Sequence, residues 1–309
     1  MFSMNRLPTS ARAQIVRCLV EGNSLRATSR LVGVSINTVT KLLVDVAKVC
    51  DDYADQTLRD LPCNRIEADE IWAFCFCKST NVPQERKGEW GIGDVWTFTA
   101  LDAESKLIVS WLVGSRDVGT ATEFITDVAD RIQHKVQLTT DGHKMYLDAV
   151  DDAFGPAVDY AMLVKHYGKE KGLPPGRYSP AECTGTTKRR ITGNPDPRYV
   201  STSYVERQNL SMRMGIRRFT RLTNGFSRKV ENHIAAVALY FFHYNFCRPH
   251  GSLKTPLGYK RTPAMAAGVT DHIWSVEEII ALLDAVEAAN PPLKRRKGGR
   301  PRKVASATP

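Results

Sequence analysis

The sequence lacks a hydrophobic run long enough to cross a membrane. Its longest uncharged apolar run, Ile234–Phe242, has nine residues, whereas a transmembrane helix needs about 20. No apolar segment follows Arg6, so no secretory signal is expected. The composition, 42% hydrophobic and 25% charged, excludes collagen-like and fully disordered chains. These absences predict a cytoplasmic protein with no membrane partner.

The sequence also lacks a zinc-ribbon or disulfide pattern. It has seven cysteines, an odd number, and no two of them form a C-x-x-C pair. Cys75 and Cys77 are two residues apart and would share one face of a strand. Reduced thiols are therefore expected.

The charge balance is basic, with 43 Lys and Arg against 33 Asp and Glu and a net charge of +10. Much of the excess lies in two blocks. The stretch from Arg207 to Lys229 contains seven basic residues and no acid, and Lys294–Lys303 contains seven basic residues in ten. One such block could be a solvated helix face or a solubilising tail. Two blocks favour a nucleic acid partner.

Residues 9 to 50 have the pattern of helices, with a tight turn at Gly33 between two short amphipathic segments. Ser24 and Ser35 stand at N-cap positions. This pattern predicts either a helix-turn-helix or a plain helical hairpin, and the basic charge favours the DNA-binding form. The residues expected to contact DNA are Ser35, Asn37, Thr38 and Lys41.

From Ile66 the apolar pattern changes to short strands and amphipathic helices. Three strands in a meander are followed by helix, strand, helix and strand, which is the element order of an RNase H-like α/β sheet. We therefore predict a mixed sheet flanked by helices, with an all-α helix-turn-helix domain before it and a disordered basic tail after it. The predicted boundaries are 1–50 for the helix-turn-helix, 51–64 for a linker, 65–265 for the core with an insertion around 165–200, 266–290 for a helical segment and 291–309 for the tail.

Two carboxylates lie on strands that are adjacent in such a sheet. Asp69 is inside the first strand, and Asp141 ends the fourth. A third acid, Glu206, opens the arginine-rich helix. Glu67 and Glu70 are expected to point to the face opposite Asp69. Three oxygen ligands suit Mg²⁺ or Mn²⁺, and two such ions can drive an in-line phosphoryl displacement.

Each acid also has an ordinary structural interpretation, because Asp-Gly is a common turn and a glutamate on a helix is usually solvated. Their order and context add a resemblance. The sequences Asp69-Glu-Ile-Trp72 and Thr139-Thr-Asp-Gly-His143, with Glu206 seven residues before Arg213, are similar to those of bacterial DDE transposases. The stretches Glu206–Arg213 and Arg217–Ser227 resemble the insertion-sequence-one family, and Tyr244–His250 resembles an integrase-type core.

The resemblance implies a transposase of the bacterial nucleoid. Such an enzyme binds terminal inverted repeats, cleaves the 3′ ends and joins them to target DNA. It implies Asp69, Asp141 and Glu206 as catalytic ligands of two Mg²⁺ ions, with Mn²⁺ able to substitute, and a homodimer or higher multimer on double-stranded DNA. Two other interpretations remain open: a helix-turn-helix regulator with a silent core, and a metal-dependent nuclease without strand transfer.

The basic blocks supply further candidate DNA contacts. In the first block these are Arg213, Arg217, Arg218 and Arg221. In the tail, Arg300 and Arg302 flank a Pro in a segment that resembles an AT-hook, whose arginines enter a narrow A·T minor groove. A nonspecific phosphate-binding arm is an equal interpretation of the tail.

Overall fold

The computed structural model describes residues 6–168, 183–220 and 224–289. Three of the predicted DNA contacts, Arg221, Arg300 and Arg302, lie outside these residues, as do the predicted tail and residues 169–182 of the predicted insertion. In the described parts of the chain, no helix is both long enough and apolar enough to cross a membrane.

One mixed sheet of six strands forms the centre of the fold, in the order β3-β2-β1-β4-β5-β6. β1, β2 and β3 form the predicted antiparallel meander, β4 and β5 run parallel to β1, and β6 is antiparallel to β5. This arrangement is compatible with the predicted RNase H-like core. The strands are β1 Arg65–Cys75, β2 Gly93–Asp102, β3 Ile108–Gly114, β4 Val136–Asp141, β5 Val158–Tyr167 and β6 Cys183–Thr192.

Helices cover both faces of the sheet. Phe98 of β2 packs against Phe124 and Tyr146 of the two helices that flank β4 in sequence, and this defines one face. On the other face, Ile71 of β1 shares a buried cluster with Val205 of the helix that carries Glu206. The helices are α1 Thr9–Val20, α2 Leu25–Val32, α3 Ile36–Thr57, α4 Val118–Asp130, α5 Met145–Phe154, α6 Ser203–Gly215, α7 Val230–Phe242, α8 Pro263–Ala266 and α9 Val276–Ala289.

The N-terminal helices have the caps that the sequence predicts. The Ser24 and Ser35 hydroxyls accept the backbone N–H groups of Ala27 and Thr38, each at 3.1 Å. Gly33 ends α2 with a φ of +69°, a left-handed conformation that glycine adopts without steric cost.

The linker predicted at 51–64 begins too early, because α3 continues to Thr57. The acids Asp51, Asp52 and Asp55 made this stretch look like a connector. Tyr53, however, turns inward and packs edge-on against Phe242 of α7, with ring centroids 5.9 Å apart. The apolar face of α3 therefore joins the core of the sheet domain and forms one continuous hydrophobic cluster with it.

The predicted insertion is only partly irregular. Its residues 183–192 form β6, which pairs with β5 along its length. No strand was expected within the insertion because this strand is polar on both faces, and its residues from Cys183 to Arg190 are exposed. Backbone hydrogen bonds, rather than burial of apolar side chains, hold this edge strand, so periodicity of hydrophobic residues could not reveal it.

Helix α9 lies within the helical segment predicted at 266–290 and packs beside α1. Arg12 of α1 is only 5% exposed, and its guanidinium donates two hydrogen bonds to Asp284 of α9 at 2.5 and 3.0 Å. Arg17 and Glu277 form a second ion pair between the same helices, in which both side chains are nearly half exposed. The first pair is the one that matters for stability, because solvent screens the second.

We expect Asp284→Ala to lower the free energy of unfolding by about 1–3 kcal/mol, because it leaves a buried guanidinium without its carboxylate. Glu277→Ala is the matched control on the same interface and should cause little change. Chemical denaturation of both variants tests this. Equal losses in the two variants would show that burial does not distinguish the pairs.

Candidate active site

Asp69 and Asp141 meet where two parallel strands diverge. The β1–β4 ladder ends with the pair Ala68 and Thr140, and Asp69 and Asp141 are the next residue on each strand. Ligands of open α/β sheets bind outside the carboxyl ends of parallel strands, which is where these side chains lie. Carboxylate oxygens of Asp69, Asp141 and Glu70 lie within 4.8 Å of one another.

Glu70 was not predicted as a site residue. Arg116 holds its Oε1 with Nε at 2.8 Å and Nη2 at 2.5 Å, and the hydroxyl of Tyr146 donates to Oε2 at 2.8 Å. Both oxygens are therefore already bound by protein donors. Glu70 adds negative charge beside Asp69 and Asp141, but it is less available than they are as a ligand.

Glu67 does not point away from Asp69, so that part of the prediction was wrong. Side chains two apart on a strand share a face, and the Glu67 carboxylate accepts the backbone N–H groups of Tyr204 and Val205 in α6 at 2.7 and 3.0 Å. These are N–H groups of the first helical turn, which have no partner within the helix. Buried Glu67 therefore fixes the start of α6 against β1.

Helix α6 brings two side chains to the site. The amide nitrogen of Asn209 donates to Asp69 Oδ2 at 2.8 Å. One turn earlier, Glu206 Oε1 accepts from the ammonium of Lys165 on β5 and from the hydroxyl of Thr202. Of the three predicted catalytic residues, the structure thus brings Asp69 and Asp141 together, and it places Glu206 beside them but outside the 4.8 Å group.

The site concentrates negative charge in a partly buried position. Burial, followed by the neighbouring charges of Glu70 and Asp141, raises the pKa of Asp69 to about 7. Burial and Asp141 likewise raise the pKa of Glu70. Burial alone would lower the pKa of Lys165, but its hydrogen bond to Glu206 raises the value overall. A cation placed among these carboxylates would relieve their repulsion.

The donors fit a divalent cation that prefers oxygen. Carboxylate and amide oxygens are the ligands that Mg²⁺ and Mn²⁺ favour. Asn209 Oδ1 is buried and has no hydrogen-bond partner among the described residues, although its nitrogen is bound to Asp69. A buried oxygen left unpaired costs free energy, and a metal or its bound water would satisfy it.

Sequence reasoning missed Asn209, Lys165 and Glu70. Asn209 follows Glu206 by one helical turn, so helix spacing could have revealed it. Lys165 lies near the carboxyl end of β5, the strand next to β4, which was also a usable signal. No signal pointed to Glu70, because strand alternation places it on the face opposite Asp69.

The predicted helix-turn-helix contacts lie together at the start of α3. Asn37 is exposed, and its side chain forms no hydrogen bond within the described residues. The Ser35 and Thr38 hydroxyls bond each other at 2.8 Å, and Lys41 forms an ion pair with Asp45. Among the four contacts predicted for the helix-turn-helix, Asn37 is therefore the one with the greatest freedom to bind a ligand.

The basic block after α6 lies beside these helices. A groove of about 810 Å³ runs between the starts of α2 and α3 and the segment after α6. Arg217 is exposed in this groove, whereas Arg218 donates to Ser227 Oγ at 2.6 Å and burial lowers its pKa to about 10. Arg213 is half-buried on α6. The lining of the groove includes four arginines and no acid: Arg26, Arg217, Arg218 and Arg228.

Neither a known protein family nor a curated protein matches the chain. Among solved structures, it is similar to piggyBac transposase in a synaptic complex with hairpin DNA, with 10% identity, a TM-score of 0.39 and coverage of 97% of this chain and 77% of that one.

It is also similar to Mos1 transposase in a paired-end complex with the left transposon end, at 10% identity and a TM-score of 0.23, covering 52% of this chain and 60% of that one. The Mos1 strand transfer complex gives 11% identity and a TM-score of 0.23, covering 77% and 78%. Superpositions this loose carry no functional argument, and the resemblance to the insertion-sequence-one family stays a prediction.

The raised pKa of Asp69 makes stability depend on pH. Between 3.8, its ordinary pKa, and about 7, the folded protein holds a proton that the unfolded chain has released, so stability falls as pH rises through this window. We expect Asp69→Asn to raise the melting temperature by roughly 2–6 °C at pH 8, and to have little effect at pH 4.

Asp152→Asn serves as the control, since Asp152 is an exposed carboxylate of α5. Thermal melts of the wild type and both variants across pH 4–8, without divalent metal, provide the comparison. An Asp69→Asn variant that loses stability with pH as steeply as the wild type would contradict this electrostatic account.

Proposed function

We propose that the protein is a metal-dependent DNA transposase that cleaves the 3′ ends of a DNA element and joins them to target DNA. The observation that carries this proposal is the convergence of Asp69 and Asp141 at the point where the β1–β4 pairing ends, with Glu206 and Asn209 presented from α6. The arginine-lined groove supports a DNA substrate, because acid-free cationic surfaces favour phosphate backbones.

Asp69, Asp141 and Glu206 are the residues we assign to hold two Mg²⁺ ions, which Mn²⁺ can replace. When bound, such ions activate a water or 3′-hydroxyl and stabilise the leaving oxygen of a phosphodiester. Asn209 orients the Asp69 carboxylate, and Glu67 fixes the helix that carries Glu206. Lys165 neutralises Glu206 and can turn toward a phosphate once Glu206 is engaged elsewhere.

DNA recognition is assigned to the start of α3 and to the basic block. We assign Asn37 to contact a base edge, and Arg217 and Arg213 to contact phosphates. Because two element ends must be joined to one target, the active form is a homodimer or higher multimer assembled on double-stranded DNA.

The direct test uses supercoiled plasmid carrying the DNA that flanks this gene, incubated with protein and Mg²⁺ or Mn²⁺. The wild type should give nicked and joined products. Asp69→Asn, Asp141→Asn and Glu206→Gln should each reduce product formation by at least about 100-fold, because each removes a proposed metal ligand. Glu123→Gln, which changes an exposed carboxylate on α4, should retain activity.

The outcomes also separate the alternatives. DNA binding without products in either metal would indicate a regulator with a silent core. Cleavage without joined products would indicate a nuclease. Full activity of Glu206→Gln would remove Glu206 from the proposed ligand set.

The proposed role of α3 has a separate test, in which duplexes that bind the protein are selected from a random pool. The wild type should enrich a motif, and Asn37→Ala should lose preference at one or two base pairs, since a bidentate amide contributes about 1–3 kcal/mol of discrimination. Asn81→Ala, on an exposed turn, should enrich the original motif. An unchanged motif in Asn37→Ala would show that α3 does not read sequence through this residue.

A further inference from the structure

A second cationic pocket lies away from the carboxylates. It has a volume of about 410 Å³, and three separate parts of the chain form its walls: the turn between β2 and β3, one face of α6 and the segment after α7. These parts contribute Lys106, Arg207 and Arg248 respectively. The pocket residues include no Asp or Glu.

The positive charge in this pocket is not neutralised. Within residues 6–168, 183–220 and 224–289, Lys106, Arg207 and Arg248 form no ion pair with a carboxylate. The charge of Lys106 acts on Glu67, and this carboxylate already accepts two N–H groups of α6. Burial, together with the charges of Lys106 and Arg248, lowers the pKa of His250. The local potential is therefore positive.

The position of Lys106 is specified by the fold. Its side chain is buried in the pocket wall, and its ammonium lies 3.3 Å from the centre of the Tyr204 ring and donates to the carbonyl of Ala103. Its backbone has a φ of +63°, in the left-handed region that a lysine enters at a cost. The carbonyl of Lys106 accepts the hydroxyl of Tyr244 at 3.1 Å, which helps to hold this conformation.

The remaining groups suit a phosphate with an attached ring. Ser252 contacts His250 Nδ1 through its hydroxyl at 2.9 Å and its N–H at 3.3 Å, so a proton on His250 Nε2 is available for donation. Two guanidinium groups match the oxygens of a phosphate. Tyr204 is 44% exposed, and Lys106 lies over one face of its ring, so stacking would use the other face. The volume exceeds what phosphate alone requires.

The pocket and the carboxylates occupy opposite sides of α6. Tyr204, Arg207 and Ser211 line the pocket at helical spacing, whereas Glu206 and Asn209 face Asp69. The two sites are therefore separated by about one helix diameter, 10–12 Å. A DNA strand that reaches both sites must span this width, which is more than the axial rise of about 3.4 Å for a single nucleotide.

We propose that this pocket binds one nucleotide of the DNA strand, with its phosphodiester held by Arg207 and Arg248 and its ring beside Tyr204, more than one nucleotide away from the bond at the carboxylates. The stated spacing between this nucleotide and the bond at the carboxylates rests on the proposed function, whereas the binding of a DNA phosphate in the pocket does not.

The test measures binding of a labelled duplex in EDTA at several salt concentrations, so that no cleavage is required. Each phosphate contact contributes about 0.9 to the slope of log K against log salt. Arg207→Gln with Arg248→Gln should lower the slope by about 1–2. Lys48→Gln with Lys87→Gln removes the same charge from exposed positions elsewhere and should leave the slope near that of the wild type.

A further variant and two competing ligands show what the pocket binds and whether positive charge causes the change in slope. Arg248→Lys keeps the charge and should retain most of the slope. Inorganic phosphate and pyrophosphate should compete only weakly, because they lack the ring and the adjoining phosphates. An unchanged slope in the variant that carries both Arg207→Gln and Arg248→Gln overturns the proposal. So does a wild type that binds pyrophosphate tightly, if this variant loses pyrophosphate binding but still binds DNA. If the slope falls in this variant but the wild-type protein never cleaves DNA, the pocket proposal is supported and only the proposed function is contradicted.

Discussion

Repulsion among carboxylates at the end of the β1–β4 ladder is the constraint on which the site depends. Asp69 lies beside Glu70 and Asp141. Burial, followed by the charges of these two neighbours, raises the pKa of Asp69 to about 7. The fold tolerates this charge through a set of surrounding donors. Arg116 and Tyr146 bind Glu70, Asn209 binds Asp69, and Lys165 binds Glu206. These contacts come from elements on both faces of the sheet, so the sheet, its flanking helices and the site depend on each other.

Helix α6 connects the acidic site with the basic surfaces around it. Its start is held by Glu67, one face presents Glu206 and Asn209 to the carboxylates, and the opposite face forms a wall of the cationic pocket. The segment that follows it lines the groove beside α2 and α3. A single helix therefore lies between acidic groups that suit a metal and basic groups that suit a phosphate backbone. That combination is what a phosphodiester substrate requires.

Much of the fold could be predicted because its strands and helices bury apolar side chains periodically. The order of β1 to β5 follows from such patterns. β6 could not be predicted, since an edge strand with polar residues on both faces has no apolar period.

Asp69 and Asp141 could be paired from topology, but the contacts of Glu67, Glu70 and Lys165 arise from three-dimensional neighbours far apart in sequence. The continuation of α3 to Thr57 depends on Tyr53 packing against α7, which local composition concealed.

The most direct measurement of the central claim is a crystal structure of the protein grown with Mn²⁺, with data collected for the anomalous signal of manganese. We expect an anomalous peak in contact with carboxylate oxygens of both Asp69 and Asp141, and a Glu206 side chain that has left Lys165 to face the same peak. Density that shows no manganese between Asp69 and Asp141 at saturating Mn²⁺, with the Lys165–Glu206 pair intact, would contradict it.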